Sequence, residues 1–447
     1  MRQLSMPGAP TIAQIGRTRL PEYIVTAANF GYCTSYVHFS VRSTTTRNLI
    51  KFLKKYTPVG PENPLRVGTI RRRATPSRLI RGRVRTFSRL QPGGGKVARS
   101  DMRPTPAPLR LGFPVKVLGQ PGLKTHDSRR WQNSPHLKFS LEYLHQVLKY
   151  LAQHRISMYR MSSDLAPYAT HPDMPQFHSM VKESRTLLRE FGAAARSLNL
   201  RLSFHPSQYI ILNSADEALT RKSIWDLESQ AEMLDLMEVG PEAVLVIHVG
   251  GTYGDRVSGR ARWAKRWSRL PEPVRRRLTL ENDDLRYSAA DVLWIHQHTG
   301  VRLIFDYQHF WCLNQEGLEL IPTLQKFLNT WPSGVRPKVH FSSPRTEMRE
   351  IKRRNRNTNK TQTAYVAPIW TGHADFANPF EFISFMQMAA RLDFDVMLES
   401  KSKDLALIRL RNDLLRYAPD VAARFGLRAQ EAVLYERDQQ ETMEVEK

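Results

Sequence analysis

Two cysteines, Cys33 and Cys312, are all the thiols in 447 residues. A disulfide framework and a cysteine-based zinc site are therefore excluded, and a reducing compartment is expected. Long apolar runs are missing too: no stretch of about 18 residues is apolar enough to span a bilayer, and the opening MRQLSMPGAP lacks the apolar core of a secretory signal. Acid is also in short supply. Asp and Glu number 42 against 67 Lys and Arg, a formal net charge of +25, which calls for a polyanionic partner. Without a membrane segment, nucleic acid fits that requirement better than a lipid surface. A cytoplasmic, nucleoid-associated monomer is expected.

The excess of positive charge is concentrated at one end. Residues 1–108 carry 20 Lys and Arg but only 3 Asp and Glu, which leaves 47 and 39 for the remainder. This first segment is rich in Arg, Ser, Thr and Pro, contains RRR at 71–73 and GGG at 93–95, and sustains no period of 2 or 3.6. It reads as a basic, mostly disordered N-terminal extension. Such an arm raises nonspecific affinity for DNA, or directs the chain to an organelle, since Arg-rich, acid-poor composition suits a transit peptide, or is an overlong, dispensable extension. Residues 421–447 read as a charged C-terminal tail.

From Leu109 the pattern changes. Short β-branched or aromatic runs alternate with stretches of helical period, as in LKFSLEYLHQVLKYLAQH, where Leu141, Leu144, Leu148 and Leu151 share one face. Candidate strands fall at 109–118, 156–163, 201–207, 243–251, 277–284, 302–309, 336–344 and 395–403. Eight such repeats across residues 109–420 predict an α/β chain folded as a (β/α)8 TIM barrel. An open nucleotide-binding sheet would need a Gly-rich loop after its first strand, and GFPVKVLG is not GxGxxG.

Each run begins apolar and ends in ionisable residues. His205, His248, Glu281, Asp306, His309, Lys338, His340 and Glu399 all stand at or near strand C-termini, which converge on one face of a TIM barrel, where active sites are built. His171 in YATHP and His373 in TGHADF lie on loops that reach the same rim. A lone His at a strand end is usually structural. Six of the 14 histidines here keep company with three acids, and burying so many ionisable groups without a metal would be costly. Their nitrogen and oxygen donors suit Mn2+, Zn2+ or Fe2+, and their number predicts more than one ion. The remaining histidines of this region, His126, His136, His145, His154, His178, His296 and His298, read as ordinary surface residues. Several such ions in a basic protein predict phosphoester hydrolysis. In HPSQY, Gln208 and Tyr209 follow His205 on the loop above the site, placed to wedge into a duplex whose damaged bases have unstacked.

The strings LRLGFP, YRMSSDLAPYATHP, LSFHPSQYIILNS, IHVGGTYGDR, LTLENDD, FDYQHF, PKVHFSSP and DVMLESKSK, in order over residues 109–410, resemble the successive strand-end motifs of the UV-damage endonucleases. The resemblance implies a barrel holding about three divalent ions, usually Mn2+. It implies a nick in double-stranded DNA immediately 5′ of a cyclobutane dimer or 6-4 photoproduct, leaving a 3′-hydroxyl and a 5′-phosphate. It assigns His205, His248, Glu281, Asp306, His309, His340, His373 and Glu399 as metal ligands, with catalytic roles for Glu281, His171 and a carboxylated Lys338. Gln208 and Tyr209 match the pair that probes the duplex. Phe113 and Val117 depart from the Tyr and Asn usual in that family's first strand, so altered contacts at that edge of the lesion pocket are expected. The rival readings are an abasic-site endonuclease of the endonuclease IV type, a sugar isomerase of the same superfamily, and a DNA-damage-binding barrel without catalysis. HPSQY, FDYQH and the KVH string favour the photoproduct enzyme.

Overall fold

The computed structural model describes residues 107–355 and 358–428; the readings placed on residues 1–106 and 429–447 lie outside them. Apolar strands alternating with amphipathic helices must be covered on both faces, which a parallel sheet closed into a cylinder achieves. Strands β1 (Leu111–Pro114), β2 (Met158–Arg160), β3 (Arg201–Phe204), β4 (Val244–Ile247), β5 (Leu278–Glu281), β6 (Arg302–Asp306), β7 (Lys338–Phe341) and β10 (Asp395–Leu398) form a closed parallel barrel in the order β1, β10, β7, β6, β5, β4, β3, β2. The (β/α)8 expectation holds. No helix among the described residues is long and apolar enough to cross a membrane.

Side chains alternate across each strand, so one set packs outward against helices and the other fills the lumen. Leu202, Phe204, Leu245, Ile247, Leu278, Leu280, Val339 and Phe341 join the large cluster under the helices. Helix Leu137–Gln153 meets that cluster with the Leu141, Leu144, Leu148 and Leu151 face, and His136 caps its start by accepting a hydrogen bond from the Lys138 N–H. Inside, Val244, Val246, Ile304 and Trp331 make a separate apolar plug. Gly112 in β1 has no room for a side chain, since a Cβ there would lie 2.5 Å from the Met158 carbonyl oxygen of β2.

The barrel floor is polar and dry. Arg201 and Asp395, both without solvent contact, pair at 2.9 Å. Arg201 also donates to the Arg336, Pro337 and Glu242 carbonyls, and Asp395 accepts from the Arg110 N–H at 2.8 Å. Arg201 and Arg302 both lie over the ring of Trp331, at 5.4 and 5.2 Å, where the ring quadrupole offsets part of their desolvation.

Every expected strand is present, yet each ends earlier than its apolar run suggested. The ladder stops where polar residues begin to face the barrel mouth. After β6, Asp306 accepts the His309 N–H at 2.7 Å and starts helix Tyr307–Cys312, so part of the expected sixth strand is helical. The sequence reading also missed an antiparallel hairpin, β8 (Arg349–Arg354) with β9 (Thr361–Val366), between β7 and its helix. Its strands are short and mostly polar, with only Ile351, Ala364 and Val366 giving one face an apolar base.

Removing one partner of a buried ion pair strands the other in low dielectric. Asp395→Ala is expected to lower unfolding stability by about 3–5 kcal/mol in urea titration; a loss below about 1 kcal/mol would show that the floor pair is not needed for closure.

Candidate metal centre at the barrel mouth

The inward phase of each strand continues one residue past its last rung and delivers a donor to the mouth: His205 after β3, His248 after β4, Glu281 ending β5, Asp306 ending β6, His340 within β7 and Glu399 after β10. Glu281 is the hub. Its Oε2 lies 3.1 Å from His205 Nε2 and 3.7 Å from His248 Nε2, and its Oε1 lies 2.8 Å from His340 Nδ1 and 3.8 Å from His309 Nδ1. Glu399 approaches His340 Nδ1 at 3.3 Å and His373 Nε2 at 3.8 Å. Two sets of donor atoms each lie within 4.8 Å of one another: His205, His248 and Glu281, and then Glu281, Asp306, His340 and Glu399.

Burial dominates the electrostatics. It works against ionisation of Glu281 and Glu399, but the surrounding imidazoles, and Arg160 in the case of Glu399, hold both carboxyls well below the usual range. Asp306 goes the other way: burial, reinforced by the charges of Glu281 and Glu399, raises it well above the ordinary carboxylate value. Burial pushes the His340 imidazole down to about 4. At His309 burial is overcome by Asp306, Glu281 and Glu399, which hold the ring at about 9. Lys338, 1% exposed, is driven well below its ordinary value by burial and by the nearby Arg201 and Arg160. Its Nζ donates to Ser203 Oγ at 3.2 Å, one residue pair below the donor cluster.

Among the described residues, three buried atoms of this set have no hydrogen-bond partner: His248 Nδ1, Asp306 Oδ2 and His340 Nε2. Unpaired buried polar atoms are costly, and a cation beside them would offset that cost. All the donors are imidazole nitrogens and carboxylate oxygens, a set that suits first-row divalent ions. The residues present therefore fit metal ions.

His171 stands apart. Its Nδ1 accepts the Asp173 N–H at 3.3 Å and its ring lies against Tyr168, in the loop beyond β2 and outside both donor sets. Gln208 and Tyr209 occupy the rim: Gln208 lines a cavity of about 490 Å³ whose walls include His205, His248, His309, His373 and Glu399, while Tyr209 is 74% exposed. Both also line an adjoining cleft with Tyr253 and Arg286. Phe113 is fully buried under the helices, edge-on to Tyr159, and Val117 is buried in the same cluster. Both side chains thus pack in the core. Of the histidines read as surface residues, His136 pairs with Glu183 at 2.9 Å and His296 bonds the Val301 carbonyl at 2.7 Å.

Several site residues escaped sequence reading. Arg160 pairs with Glu399; it stands at the end of β2 in YRMSS, the same strand-end signal as the ligands, but was passed over as a cation. Asn282 exchanges two hydrogen bonds with the Asp306 backbone and its carbonyl bonds His309 Nδ1 at 3.0 Å. Gln308 and Ser342 both reach His373 Nδ1, at 3.1 and 2.5 Å, leaving Nε2 toward the cluster. Uncharged residues that orient ligands carry no spacing signal.

A closed parallel barrel with imidazoles and carboxylates gathered at its C-terminal mouth defines a TIM-barrel protein with a site able to hold metal ions. Residues 135–424 match the sequence profile of the UV-endonuclease UvdE family, and the chain belongs to that family. A UV DNA damage endonuclease of Bacillus velezensis is 32% identical over 272 residues, covering 60% of this chain and 78% of the relative. One from Bacillus cereus is 34% identical over 284 residues, covering 62% and 81%. The crystal structure of a protein named SacUVDE superimposes with a TM-score of 0.58 at 27% identity, covering 69% of this chain and 98% of that one.

Two measurements test this electrostatic account. Because His309 has a folded value near 9 above its unfolded value of about 6.5, its stabilising contribution is complete below pH 6.5 and lost as pH rises through 9. In metal-free protein, the stability difference between wild type and His309→Asn should therefore narrow from pH 6.5 to 9; a constant difference would remove the imidazolium from the site. Mn2+ should raise the melting temperature of chelator-treated protein, since a ligand at 100 times its Kd adds about 2.7 kcal/mol. Glu281→Gln should abolish that rise.

Proposed function

We propose that the chain is a metal-dependent endonuclease that cuts the phosphodiester immediately 5′ of cyclobutane dimers and 6-4 photoproducts in double-stranded DNA, leaving a 3′-hydroxyl and a 5′-phosphate. One observation carries this reading: a single buried carboxylate, Glu281, joins two donor sets, of which His205, His248 and Glu399 line an open cavity, in a chain of the UV-endonuclease family. Adjacent ions sharing a ligand are the arrangement that serves both the attacking and leaving oxygens of a phosphodiester. We take about three ions, Mn2+ foremost, to be held by His205, His248, Glu281, Asp306, His309, His340, His373 and Glu399.

When bound, such ions polarise the phosphate and lower the pKa of a water. The chain's own residues do the rest. Arg160 holds Glu399 ionised and directed inward, and Asn282 fixes Asp306 and His309. His171, on the rim, is assigned to the substrate side. Lys338, whose burial disfavours the charged ammonium form, would as the free amine take up CO2 and release a proton; the resulting carbamate would add an acidic group beside the ions. Gln208 and Tyr209 meet the distorted duplex above the cavity.

The direct test is incubation of purified protein and Mn2+ with a duplex bearing one cyclobutane dimer, followed by mapping of the nick. A single cut on the 5′ side of the dimer is expected, and cutting at abasic sites alone would replace this reading. The double change Gln208→Ala with Tyr209→Ala should reduce discrimination between damaged and undamaged duplex tenfold to a hundredfold, the loss of about 1–3 kcal/mol of stacking, with bound Mn2+ unchanged by elemental analysis. Residues 1–108 are assigned to nonspecific affinity: a chain beginning near Arg103 should still cut at low salt, and a folded but inactive truncation would make the arm part of the enzyme.

A further inference from the structure

We infer that the β8–β9 hairpin is a cationic arm that grips the phosphates of the duplex flanking the scissile bond. This rests on the endonuclease reading above and assigns a role to an element outside the metal centre. The hairpin springs from the site itself. Its two feet are tied together by Arg345 N–H to the Gly372 carbonyl at 2.7 Å and Ala374 N–H to the Ser343 carbonyl at 2.9 Å, with a bridge between Pro344 and His373. The arm therefore begins one residue from a member of the donor cluster, on the mouth side of the barrel.

Its composition is one-sided. From Ile351 to Ala374 the chain has no acidic residue, while Lys352, Arg353, Arg354, Arg356 and Lys360 fall within that span. Pairing in register sets Lys352 opposite Thr363, Arg354 opposite Thr361, and Tyr365 opposite Glu350 on one face. That face is solvent-exposed, with Tyr365 65% exposed. The other face is covered toward its base, where Ile351, Ala364 and Val366 are half-buried. Lys352, Arg353 and Arg354 make no ion pair or side-chain hydrogen bond among the described residues, whereas Arg345 pairs with Glu347 and Asp375. Lys352 and Arg354 share the exposed face and Arg353 stands on the other beside them; three neighbouring cations without a carboxylate partner suit a polyanion.

Dimensions agree with a duplex. Six residues of strand reach about 20 Å, the length of about six base pairs, and a two-stranded ribbon fits the width of a major groove. A phosphodiester brought to the cavity would leave its flanking duplex within that reach.

The test compares two variants of equal charge. In one, Lys352, Arg353 and Arg354 become Gln; in the other, Arg275, Lys326 and Arg391, exposed at the opposite end of the barrel, become Gln. Binding of undamaged and dimer-bearing duplexes is measured over a series of salt concentrations, with metal content checked by elemental analysis. Each lost phosphate contact lowers the slope of log Kd against log salt by about 0.9, so the hairpin variant should lose about two to three from that slope and the control variant less than one. On a duplex trimmed to about three base pairs on either side of the dimer, the difference between hairpin variant and wild type should shrink, because the contacted phosphates are gone. Equal slopes for the two variants would overturn the assignment and leave the arm to another acidic partner. Wild-type protein that fails to bind duplex at all would instead remove the endonuclease reading.

Discussion

A fully buried carboxylate ringed by imidazoles holds the mouth of this barrel together. Glu281 has no solvent contact, and an ionised carboxylate in such a place is stable only when opposite charge or strong donors surround it. Histidines from separate strands and loops have to converge for that condition to be met, and they also offset the like charge of Asp306 and Glu399. Convergence on this scale is available at the C-terminal face of a closed parallel barrel, where every strand aims one side chain at the same axis.

The same constraint operates at the other end with the signs exchanged. Arg201 is buried as deeply as Glu281 and is engaged by Asp395, by backbone carbonyls and by the Trp331 ring, with its Nη2 left without a hydrogen-bond partner among the described residues. Between the floor and the mouth lies the thin apolar layer of Val244, Val246 and Ile304. The lumen is thus a stack of charged and apolar layers, in which Arg110, Arg201 and Arg336 share Asp395 and Arg302 is held by backbone carbonyls. Lys338 is a buried amine near two arginines, held by one hydroxyl. Its surroundings favour a neutral amine over an ammonium ion.

Much of this was legible in the chain. The eight strands were found because buried parallel strands are continuous apolar runs, and the donor residues of the mouth were found because ionisable residues ended those runs in phase with the lumen. Where each ladder would stop was not legible: the helix at Tyr307–Cys312 is set by Asp306 capping His309, a contact with no signal in apolar pattern. The β8–β9 hairpin escaped for a similar reason, since three apolar residues, Ile351, Ala364 and Val366, in two otherwise polar strands give too weak a period to detect. Asn282, Gln308 and Ser342 orient ligands through hydrogen bonds that depend on where neighbouring strands end.

The sequence by itself determined the order of apolar and polar residues, and with it the strand phase that directs His205, His248, Glu281, Asp306, His340 and Glu399 inward. It also determined the excess of cations and the near absence of thiols. Tertiary structure alone decided which of these donors share Glu281, that His171 stands on the rim outside the donor sets, that Phe113 belongs to the core, and that Arg160 faces Glu399. The physical reason is that periodicity fixes a direction along one strand, whereas distance between side chains on different strands follows from barrel closure and register.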